Sequence, residues 1–99
     1  MVTYILSFVK TKYIKGDDTV ARIIDGNEMN LIGDKVKKFR KERNMSQQSL
    51  SNKLELLGVY VCRGSVSRIE DKQRTVTDIE LFAIAKVLGV TVGQLIGEE

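Results

Sequence analysis

From Asn30 onward the chain is cut into helical segments too short to stand alone. Ile32, Val36 and Phe39 recur at i, i+4 and i+7, the spacing of one helical face. Asn30 is the expected N-cap of this first helix, and Asn44 can take the left-handed conformation that ends it. Ser46 is the expected N-cap of a second helix starting at Gln47, with Leu50, Leu54 and Leu57 on its buried face and Gly58 at its end. Gly64 to Asp71 reads as a third helix with Val66 and Ile69 inward. Thr77-Asp78-Ile79-Glu80 has the capping-box pattern and opens an apolar fourth helix that stops at Gly89. Val92 to Ile96 allows one last turn. Helices this short are marginal in water, so they persist only by burying their apolar faces against each other. The fold class expected is all-α, a five-helix bundle over residues 31–99.

Residues 1–30 form a separate N-terminal arm with a different pattern. Thr3 to Ile14 is rich in β-branched and aromatic residues, Gly16-Asp17-Asp18 is a turn signal, and Val20 to Ile24 is a second apolar run. A β-hairpin is expected there, and its edge strands are one candidate for pairing between chains. Met29 is a candidate internal start. The apolar run from Tyr4 to Val9 is interrupted by Ser7, is too short to span a bilayer and has no basic stretch before it. A cytoplasmic location is expected.

Composition narrows the function. The net charge of +3 conceals its distribution: residues 31–74 carry 11 basic and 5 acidic side chains, net +6, whereas residues 75–99 carry one basic and four acidic. The basic block coincides with the first three helices. The chain has no His and one Cys, Cys62, so an imidazole base, an internal disulfide and a Cys-pair zinc site are all excluded. No carboxylate pair, nucleophile–base set or phosphate loop appears. An enzyme is not expected, and neither is a cofactor or a metal.

Two short helices joined by a turn, the second polar and carrying Arg, have the physical pattern of a helix-turn-helix. The motifs are Ile32-Gly33-x-x-Val36-x-x-Phe39-Arg40-x-x-Arg43, then Met45-Ser46-Gln47-x-x-Leu50-Ser51-x-x-Leu54, then Ser65-Val66-Ser67-Arg68-Ile69-Glu70 and Leu81-x-x-Ile84-Ala85-x-x-Leu88-Gly89-Val90. Together they resemble the phage-repressor-like (Cro/XRE) helix-turn-helix domain. The stretch from Leu54 to Val66 is longer than is usual for that family, through a longer second helix, a longer turn or both. Tyr60 and Val61 are expected to plug it against the bundle.

The resemblance implies a sequence-specific regulator of transcription that binds double-stranded DNA, a repressor acting as a homodimer, with helix 64–71 in the major groove. It implies phosphate contacts from Gln47, Gln48, Lys72 and Arg74. It implies DNA contacts from Arg63, Ser65, Ser67 and Arg68, with Arg able to pair with the O6 and N7 acceptors of guanine. Arg40 and Glu70 are implied to form a structural salt bridge rather than a DNA contact. The neutral arm and the acidic end keep an alternative open: a protein-interaction module, such as an antitoxin or anti-repressor, in which DNA binding is secondary.

Overall fold

The computed structural model describes residues 26–97. The expected hairpin in the arm lies outside them. Five helices are present among the described residues, with no strand: α1 Gly33–Glu42, α2 Gln47–Leu56, α3 Arg63–Glu70, α4 Asp78–Leu88 and α5 Val92–Ile96.

Local chemistry sets most of the boundaries. Ser46 accepts a hydrogen bond from the Ser49 N–H and opens α2. Thr77 and Glu80 form a reciprocal capping box at α4, and Thr91 and Gln94 form a second at α5. Asn44 has φ +56° after α1, and Gly89 has φ +71° after α4. The start of α1 differs from expectation. Its N-cap is Ile32, which offers no side-chain oxygen. Asn30 acts from two residues upstream, where its Oδ1 accepts from the N–H groups of both Ile32 and Gly33. Its Nδ2 donates to the carbonyls of Ile69 and Arg74. One buried amide thus satisfies the helix start and fastens it to the end of α3.

The core is a single cluster built from all five helices and the α2–α3 turn, with Val36, Leu50, Leu54, Val61, Val66, Ile69, Ile84, Leu88 and Leu95 almost wholly buried. Gly33 is where α1 meets the end of α3. A Cβ there would lie 2.5 Å from the Ile69 carbonyl oxygen and 2.8 Å from that of Glu70. Both obstacles are backbone, so only glycine permits this approach.

Two expectations fail in the α2–α3 connection. Leu57 is 53% exposed, because α2 ends at Leu56 and Leu57 is already its C-cap. The helical period that would have carried Leu57 inward stops one residue early. Gly58, at φ +85°, then reverses the chain. Val59 and Val61 turn inward, and Tyr60 between them is 77% exposed. An irregular chain that packs alternate residues throws the middle one outward. Val61 alone is therefore the buried plug.

Candidate nucleic-acid interface

Helix α3 packs on α1 and α2 through Val66 and Ile69 and leaves its other side open. It starts one residue earlier than expected, at Arg63. Arg63 is exposed, and its side chain has no hydrogen-bond or ion-pair partner among the described residues. One turn and a half further, exposed Arg68 donates from Nη2 to Ser65 Oγ at 3.2 Å. Ser65 and Ser67 are half-buried on the same helix. Cys62 Sγ lies 3.5 Å from Ser65 Oγ. The Ser65 hydroxyl, with Arg68 adding a weaker attraction, holds the exposed thiol below its ordinary range. Gly64 has open space around it: a Cβ would meet only Arg68 Nη1, at 3.8 Å.

An open groove separates this surface from α2. Gln48 and Asn52, one helical turn apart and hydrogen-bonded at 2.9 Å, line one wall, and Tyr60, Arg63 and Gly64 line the other.

The remaining candidate residues are engaged inside the domain. Arg40 and Glu70 form a buried, two-pronged pair, Nε to Oε2 at 2.6 Å and Nη2 to Oε1 at 3.0 Å. Arg40 Nη1 also donates to the Met45 carbonyl at 2.7 Å. Gln47 Nε2 donates to Glu70 Oε1 at 3.0 Å, so the first residue of α2 is joined to the last of α3. Lys72, in a left-handed conformation at φ +60°, has Nζ 2.9 Å from Asp34 and 3.6 Å from Glu28. The hydrogen bond to Asp34 raises the Lys72 pKa, against a smaller opposing effect of burial. Arg74 makes a bidentate pair with Glu80, both contacts at 2.9 Å. That pair lowers the Glu80 pKa, with help from the Thr77 backbone N–H.

The Gln47, Lys72 and Arg74 contacts were not visible in the sequence. Their partners lie from 6 to 44 positions away, as the spacing of Arg74–Glu80 and Lys72–Glu28 shows. The one local signal was Glu80, which the capping-box pattern had already marked. Gln48, Arg63 and Ser65 line the groove between α2 and α3, and Arg68 is tied to it through Ser65. Lys72 and Arg74 stand in the loop beyond the far end of α3.

A family model for the helix-turn-helix matches residues 36–95. The chain belongs to the XRE-type helix-turn-helix family. As a member of that family it is a DNA-binding transcription regulator and not an enzyme. Among solved structures, SinR, described as the master regulator for biofilm formation and in complex with DNA, is similar. It is 32% identical over 66% of this chain and 97% of that one, with a TM-score of 0.57. A complex of SinR protein with SinI protein matches at 34% identity, over 68% of this chain and 61% of that one, with a TM-score of 0.56. The P22 c2 repressor bound to a synthetic operator shares the fold at 22% identity, over 70% of this chain and 97% of that one, with a TM-score of 0.59. A comparison with curated proteins finds no match. No described helix of this XRE-type chain is long and apolar enough to cross a membrane. No group of three or more described His, Cys, Asp or Glu residues could hold a metal ion.

Proposed function

We propose that the chain is a sequence-specific repressor that binds double-stranded DNA as a homodimer, with α3 in the major groove. One observation carries this reading: Arg63 and Arg68 are exposed on α3, and neither is ion-paired to a carboxylate among the described residues. Arginines so placed can pair bidentately with guanine, while Ser65, Ser67 and Gln48 reach neighbouring base edges or phosphates. Gln47, bonded to Glu70, and Lys72 and Arg74 in the following loop gather at the C-terminal end of α3, where a groove-bound helix can meet the phosphate backbone.

Dimerisation is supported by size. From Arg63 to Arg68 the helix rises only about 7.5 Å, roughly two base-pair steps, so one domain reads little sequence and a two-fold partner doubles it. Two exposed apolar patches are available for such a contact, Ile79 with Phe82 on α4 and Met29 with Leu31 and Ile96 around Leu81. SinR, solved in complex with DNA, supports the DNA-binding half of this reading.

Selection of bound sequences from a random duplex pool, followed by titration at several salt concentrations, tests the reading. The expected product is a near-palindrome with half-sites one helical turn apart. With about 6–10 phosphate contacts per dimer, affinity falls by roughly 10³–10⁵ between about 50 and 200 mM salt. No enriched sequence, or binding indifferent to salt, refutes it.

A further inference from the structure

We infer that Tyr60 is a DNA-reading residue, whose ring contacts the C5-methyl of a thymine lying outside the base pairs faced by Arg63 and Arg68. The inference rests on the major-groove reading above and extends it to the long α2–α3 turn.

The turn is anchored on both sides of Tyr60. The Val59 N–H donates to the Leu54 carbonyl at 3.0 Å, and Val61 is 2% exposed in the core. With its neighbours fixed inward, the Tyr60 ring is held outward rather than left to collapse on the bundle. It stands on the wall of the groove that also presents Arg63, Gly64, Gln48 and Asn52. The side chains read as DNA-facing therefore share a surface with an exposed aromatic ring.

Reach decides what that ring can touch. Tyr60 precedes Arg63 by three residues of irregular chain, which span at most about 10 Å when extended. That corresponds to as many as about three base-pair steps beyond the start of α3. The Arg63 and Arg68 guanidiniums suit the paired acceptors of guanine. The exposed Tyr60 ring suits the one apolar group the major groove offers, the thymine methyl. The ring's hydroxyl leaves the polar edge in water, so the contact strands no buried polar atom.

The test uses the duplex selected by the full chain. Each thymine is replaced singly by deoxyuridine, which removes only the methyl. Affinities are then measured for the unaltered protein, Tyr60→Phe, Tyr60→Ala, Arg63→Ala and Arg68→Ala. One deoxyuridine position, outside those whose guanines matter to Arg63, is expected to weaken the unaltered protein and Tyr60→Phe by about fourfold, the value of one buried methyl. The same replacement leaves Tyr60→Ala unchanged, because the partner ring is already gone. Thermal melting of Tyr60→Ala matching the parent shows that the loss is not one of folding.

If no deoxyuridine effect disappears in Tyr60→Ala, or the outer half-site contains no thymine, the Tyr60 assignment is overturned while Arg63→Ala still reports groove binding. If Arg63→Ala and Arg68→Ala bind like the parent, the groove reading falls, and Tyr60 with it.

Discussion

The Arg40–Glu70 pair joins α1 to α3, and its removal should separate folding from DNA recognition. Glu70→Ala strips the counter-charge from a guanidinium whose side chain is only 9% exposed. It also leaves that guanidinium with a single remaining hydrogen bond, to the Met45 carbonyl. Breaking one member of a buried pair costs about 3–5 kcal/mol, a large share of the roughly 5–15 kcal/mol that holds a typical domain together. For a domain this small, each kcal/mol is worth about 4–8 °C, so the melting midpoint should fall by more than about 10 °C. Replacing both partners, Arg40→Met with Glu70→Met, removes the uncompensated charge and should recover most of the loss, since well-packed apolar side chains often replace a buried pair at little cost. Urea denaturation of the parent, both single variants and the double variant gives the cycle directly. DNA titration of the double variant, below its melting range, then asks whether Arg40 touches DNA. No loss of affinity and an unchanged salt slope are expected, since the Gln47 amide released from Glu70 is uncharged. A Glu70→Ala loss under about 1 kcal/mol, or a double variant no more stable than the singles, refutes the reasoning about an uncompensated buried charge. A salt slope lower by about one places Arg40 on a phosphate instead.

Two further outcomes follow from single groups. Gly64→Ala should raise stability by about 0.5–1 kcal/mol, because its Cβ meets no obstacle and helix propensity improves. In the proposed complex the same methyl stands on the face turned toward DNA, so affinity should drop while the melting midpoint rises; gains in both, by melting and gel-shift titration, would remove Gly64 from the proposed interface. Arg74 lowers the Glu80 pKa, so the ionised carboxylate is favoured by folding. That contribution is fully present above the ordinary carboxylate range and disappears as pH falls through the lowered folded value. Arg74→Gln should therefore destabilise the domain at neutral pH, and its gap from the parent in urea midpoint should close on acidification; a gap independent of pH contradicts the pairing.

The elements legible in the sequence were those specified within a few residues. Ser46, the Thr77–Glu80 box, Asn44 and Gly89 act on backbone atoms of their own helix ends, and the helices begin or end where these residues predict. Leu57 and Tyr60 misled because a period or an apolar character was carried past Leu56, where α2 had already stopped. The polar ends of the helices were less legible for a different reason. Gln47, Lys72 and Arg74 are groups whose partner is decided by competition, and the competing carboxylates arrive from elsewhere in the chain: Glu70, Asp34 and Glu28, and Glu80. In the proposed complex, a phosphate at any of these positions must replace a carboxylate already there, so it gains only the difference between two anionic partners. Among the described residues Arg63 has no ion-paired carboxylate to give up, and Arg68 gives up only a hydroxyl contact. The energetic contrast between cognate and random DNA should therefore be concentrated at these two arginines. The loop after α3 should respond more weakly to substitution than its charge suggests.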